Sequence, residues 1–143
     1  MLRSLIAVGL LAATPASAEF ITRTVEGDFD DIAFAVESAI VGKGLVIDSV
    51  SHVGDMLERT KADVGGTRTL YTQADVFSFC SASISRKVME ADPANIQFCP
   101  YGIAVYALPD QPGQVTVGYR SYPDGAMQEV QQMLGAIVAE ALD

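Results

Sequence analysis

Two cysteines, one histidine and a scatter of serines and carboxylates are the residues of this chain that could do chemistry. Cys80 and Cys99 are nineteen positions apart, without the C-x-x-C spacing that makes a fast dithiol switch. In an oxidising compartment an even cysteine count favours a structural disulfide; two separate thiols, or a redox or ligand site, are the alternatives. Cys80 ends one strand and Cys99 precedes the next. A parallel β-α-β unit would set them at opposite ends of a sheet. A chain returning along Ile96-Gln97-Phe98 would instead bring Cys99 back to Cys80. The sequence leaves both arrangements open.

Other reactive combinations are incomplete. His52 and Asp55 stand at i, i+3 and could share an ion, but zinc requires four ligands, or three plus water. The pair reads better as a solvated helix start, so no metal and no cofactor is expected. A Ser-His-Asp site would have to use His52, and no serine sits in a G-x-S-x-G elbow. Asp30-Asp31, and Glu90 with Asp92, fall at helix ends, where carboxylates act as caps or solvated faces. Gly65-Gly66 and Gly42-x-Gly44 lack the lysine and helix of a phosphate loop. Tyr101, Tyr106, Tyr119 and Tyr122, with Phe98, could line a pocket or stand as ordinary half-buried strand aromatics.

The elements that must position these groups follow from periodicity. Residues 19–27 alternate as a strand. A helix follows, capped by Asp28 or Asp30, with Ile32, Val36 and Ile40 every fourth residue and Gly42 and Gly44 at its end. A short strand runs from Leu45 to about Val50, then a weaker helix over 53–64. Val76 to Cys80 reads as a buried strand. Ser81 or Ser83 caps a helix that breaks at Asp92-Pro93. Gly102–Leu108 and Gln114–Tyr122 form an antiparallel hairpin around PDQPG. Asp124 then caps a last helix whose Met127, Val130, Leu134, Ile137, Val138 and Ala141 form one stripe. The order β-α-β-α-β-α-β-β-α predicts a two-layer α+β domain, a mixed sheet with helices packed on one face.

Composition narrows the partners. The 143 residues carry 9 Lys+Arg against 18 Asp+Glu, a net charge of −9, with 50% hydrophobic residues. An acidic surface disfavours nucleic acid and anionic membranes, both polyanions bound through Lys and Arg. Met1–Ala18 carries Arg3, an apolar core from Leu5 to Ala13 and the Ala16-Ser17-Ala18 ending of a secretory signal peptide. Its removal leaves one domain over residues 19–143 with a charge of −10, expected to be soluble and periplasmic or secreted.

The run CSASISRKVMEADPANIQFCPYGIAVYAL from Cys80 to Leu108, with FDDIAFAVESAIVGKGLVI at 29–47, resembles the DUF302 family, a small α+β domain. Its pattern is carried here by Cys80, Asp92-Pro93, Cys99-Pro100 and Val105-Tyr106. Ser81-Ala82 replaces the Asn-Pro found in many members, and Cys99-Pro100 reverses their Pro-Cys order. The resemblance implies a compact domain, with a homodimer among its options and no catalytic residues to transfer. It focuses a candidate ligand-binding site on Cys80, Cys99, Pro100 and Tyr101, where a strand end, a helix start and an aromatic meet. The resulting expectation is a non-catalytic small-ligand- or protein-binding accessory module. A thiol-redox or metal- or haem-associated factor for periplasmic electron-transfer or sulfur proteins is the alternative.

Overall fold

The computed structural model describes residues 18–143; the segment read as a leader lies outside them but for Ala18. Strand β1 (Phe20–Glu26) is followed by helix α1 (Phe29–Gly42), β2 (Val46–His52), α2 (Val53–Thr60) and β3 (Gln73–Cys80). Then come α3 (Ala82–Ala91), a 3-10 helix (Pro93–Phe98), β4 (Tyr101–Ala107), β5 (Gln114–Arg120) and α4 (Gln128–Leu142). The class is α+β, in the order the periodicity predicts. The sheet runs β1-β5-β4-β3-β2. All four pairings are antiparallel, which corrects the expectation of a mixed sheet. The connection between β3 and β4 returns to the end it left, so these neighbours run in opposite directions.

Local chemistry sets the helix starts. The Asp28 carboxylate accepts from the Asp30 and Asp31 amides, satisfying two of the donors that a helix start leaves free. Ser81 Oγ accepts from the Ile84 amide at 3.4 Å and begins α3. Helix α4 starts at Gln128, without a side-chain cap from Asp124. Gln128 and Gln131 instead bond the Tyr122 carbonyl and amide, so the loop before the helix is tied to its first turn.

Strand alternation sorts the sheet into two faces. One carries Phe77, Phe79, Tyr101, Ile103, Val105, Val115, Val117 and Tyr119, all buried against α1, α3 and α4. Val36 and Ile40 of α1, and Val130, Leu134, Ile137 and Val138 of α4, complete that core. Gly135 makes room for the Tyr119 hydroxyl, which lies 2.9 Å from where a Cβ would stand. Helix α2 does not join this layer. It packs on the start of β3, and a Cβ on Gly54 would come 2.7 Å from the Ala74 nitrogen, so the helix rests directly on backbone.

Candidate functional site

Antiparallel pairing of β3 with β4 places Phe79 opposite Tyr101. Cys80, one residue beyond Phe79, and Cys99, two before Tyr101, therefore meet at the same end of the sheet. Their sulfurs lie at bonding distance, with the Cα atoms 6.5 Å apart. The connecting chain is braced along its length. The Asp92 carboxylate accepts from the Ala94 amide, Asn95 Nδ2 donates to the Val88 carbonyl, and the Cys99 amide donates to the Ile96 carbonyl. The Cys99–Pro100 peptide is cis.

Of the four predicted site residues, Cys80 and Cys99 are half-buried at the sheet end and Pro100 is exposed beside them. Tyr101 is only 1% exposed, and its hydroxyl lies 2.9 Å from Ser85 Oγ on α3. It belongs to the core as much as to the disulfide. Around it is a group that spacing alone does not assemble. The Tyr122 ring meets Phe98 edge-on at 5.7 Å and Tyr101 at 6.2 Å. Arg120 places its guanidinium carbon 5.4 Å from the Phe98 centroid and 5.8 Å from that of Tyr122, within cation-π range. The Tyr122 hydroxyl is buried without a hydrogen-bond partner. Burial pushes its pKa up to about 12, with Tyr101 adding to the shift and Arg120 opposing it.

The four hairpin tyrosines do not share one pocket. Tyr101, Tyr119 and Tyr122 are core residues, whereas Tyr106 stands on the other face of the sheet, edge-on to Tyr71 at 5.6 Å. That face is open. By register it presents Phe20, Thr22 and Thr24 of β1, Thr116 and Gly118 of β5, Ala104 and Tyr106 of β4, and Ala74 and Val76 of β3. Phe20, Val53, Tyr71 and Tyr106 wall a trough of about 310 Å³ over the small floor residues Ala74 and Ala104. Sequence reasoning missed it because its small residues have no apolar period of their own.

His52 finds Asp75 across the β2–β3 ladder rather than an ion. Nδ1 lies 2.8 Å from Asp75 Oδ1. The hydrogen bond and the charge of Asp75, with a smaller contribution from Asp55, raise the histidine pKa above its ordinary value. Among the described residues, no three His, Cys, Asp or Glu side chains gather in a metal-holding cluster. No helix among them is long and apolar enough to cross a membrane.

Comparison with known proteins agrees with this architecture. The crystal structure of an uncharacterized conserved DUF302 protein from Bacillus stearothermophilus superposes with a TM-score of 0.67 at 13% identity. The match covers 85% of this chain and 97% of that one, and at such identity it speaks for the fold. No match was found among curated proteins. The family description "Domain of unknown function DUF302" matches residues 21–143, from the second residue of β1 to the chain end. That span takes in the helices described above, the disulfide and all of the open face but Phe20, and on it the chain belongs to the DUF302 family.

Proposed function

We propose that this chain is a periplasmic or secreted binding module without catalytic chemistry of its own, and that it binds through the open face of its sheet. One observation carries the reading. Among the paired positions of β1, β5, β4 and β3 on that face only Glu26 and Arg120 are charged, and both lie at strand ends, in a chain of net charge −9; Asp48 stands at the bulge of the edge strand β2, outside the paired register. Everything between them is apolar, small or hydroxylated. An uncovered face of this kind is where a soluble domain meets a partner.

The partner that fits is a second copy. Two molecules this acidic repel wherever like-charged surfaces approach, and the neutral face is where the repulsion is weakest. Five strands at about 4.8 Å spacing and seven residues at about 3.4 Å give a face of roughly 24 by 24 Å. Two such faces supply about 1,200 Å², the lower bound for a specific interface.

The groups that could react already hold structural partners, which supports a binding role. Cys80 and Cys99 pair with each other, Ser81 caps α3, Ser85 bonds Tyr101 and His52 holds Asp75. The Met1–Ala18 leader pattern and the cysteine pair both suit an oxidising compartment outside the cytoplasm. Sedimentation velocity tests the association. The expected result is a monomer–dimer equilibrium that tightens with added salt, as screening relieves the repulsion between two acidic bodies. A single protomer-sized species at every concentration and salt contradicts it.

A further inference from the structure

A second concavity lies behind Tyr71, between the end of α2 and the loop that leads to β3, with a volume of about 280 Å³. Its construction is local. Gly65, at φ +75°, turns the chain, and the Gly66 amide donates to the Lys61 carbonyl at 2.7 Å, closing the loop on itself. Thr69 Oγ1 then donates to Glu58 Oε2 at 3.0 Å, and Lys61 Nζ bonds both Glu58 and Thr69, so the far side of the loop is pinned to the helix.

Two features of the lining point to one class of ligand. The walls are apolar: Leu57 and Tyr71 are half-buried, while Val64 and Leu70 remain 78% and 44% exposed at the rim. Large apolar side chains left this open around a concave site remain available to an apolar body. The charge is cationic. Lys61 and Arg68 line the cavity against the single carboxylate of Glu58, in a chain with twice as many acids as bases. Glu58 is already matched to Lys61, which leaves the Arg68 guanidinium outside every ion pair among the described residues. A guanidinium offers paired donors that fit a carboxylate.

We propose that this cavity binds a small amphiphilic carboxylate, its apolar body against Leu57, Leu70 and Tyr71 and its carboxylate on Arg68. The volume lies just under the usual range of about 300–1,000 Å³ for ligand pockets. It suits a short acyl chain or one ring and excludes a two-chain lipid. The site shares only Tyr71 with the trough on the sheet face, and Arg68, Leu57, Val64 and Leu70 belong to it and not to the trough, so variants at those positions test it apart from the pairing of two copies.

Octanoate, octanol and octylamine share one tail and differ in head group, and titration of each followed by methyl-resolved NMR tests the proposal. Octanoate is expected to bind about tenfold or more tightly than octanol, with octylamine weakest, and to shift the Leu57, Val64 and Leu70 methyls. Arg68→Ala should weaken octanoate about tenfold and leave octanol unchanged. Arg68→Lys should recover part of the loss, which a purely structural role for the arginine would not produce. Equal affinity for octanoate and octanol overturns the proposal. So do shifts confined to Val76 and Ala104 on the sheet face, or no shift with any of the three.

Discussion

The ring of Phe20 lies across Gly118 of the neighbouring strand: a Cβ at position 118 would come 2.7 Å from Phe20 Cζ and 2.8 Å from Thr22 Cγ2. The glycine lets an edge-strand aromatic fold over the sheet, where it forms one wall of the open-face trough. The Ile21 carbonyl is also within 2.9 Å, so a side chain at 118 must displace backbone as well as the ring. Gly118→Val should cost about 1–3 kcal/mol, the usual range for overpacking. It should also weaken self-association, because Phe20 is driven off the face. Denaturant unfolding and sedimentation check the two effects.

Two tyrosines of one cluster should respond oppositely to loss of the hydroxyl. Tyr101 shares a hydrogen bond with Ser85, so Tyr101→Phe should cost about 1 kcal/mol. The Tyr122 hydroxyl is buried without a partner, so Tyr122→Phe should be neutral or stabilising by up to about 1 kcal/mol. Chemical denaturation of both variants decides this; an equal loss from each would contradict the burial of an unpaired hydroxyl at position 122.

The His52–Asp75 pair gives the protein a pH-dependent element at the β2 edge. The folded pKa of His52 is raised above 6.5 by its hydrogen bond to Asp75, then by that carboxylate's charge. The stability it contributes is therefore fully present below the unfolded pKa of about 6.5 and is lost as pH rises through the folded value. His52→Gln should lower the unfolding midpoint at about pH 5.5 and leave it nearly unchanged at about pH 9. A loss of equal size at both values would assign the effect to packing.

Intact mass spectrometry examines export and the cysteine pair together. Protein recovered from the periplasmic fraction or the medium should begin at Glu19 and resist alkylation until it is reduced. Closing a loop of 19 residues stabilises by about 3 kcal/mol in the chain-entropy estimate. Cys80→Ser/Cys99→Ser should therefore unfold at lower denaturant yet still fold, since a domain of this size does not need a staple. Full labelling before reduction would contradict the pairing.

Local features of this fold are readable in the sequence and non-local ones are not. Asp28, Ser81 and the stripe from Val130 to Val138 announce their helices, because caps and i, i+4 spacing act within a turn or two. The 53–64 helix stops early, at Thr60, whose hydroxyl bonds back to the Met56 carbonyl. The start of β3 at Gln73 is hidden because Asp75, a carboxylate on the core face, breaks the apolar pattern; its reason is His52 on the next strand. The direction of β4 relative to β3 decides whether Cys80 can reach Cys99, and only the long-range pairing of Phe79 with Tyr101 sets it. Arg120 over Phe98 and Tyr122 is likewise invisible, since the three come from two separate segments.

The open sheet face as the surface joining two copies is most directly tested by light scattering of three proteins at one concentration. In added salt and well above the midpoint of the monomer–dimer equilibrium, wild type should weigh twice its protomer. Ala104→Glu, which plants a charge in the centre of the face, should weigh one protomer. Phe34→Glu, at a position 68% exposed on α1 across the molecule, should stay at the wild-type mass. A wild type of protomer mass, or an Ala104→Glu variant that folds and still weighs two protomers, would contradict the account.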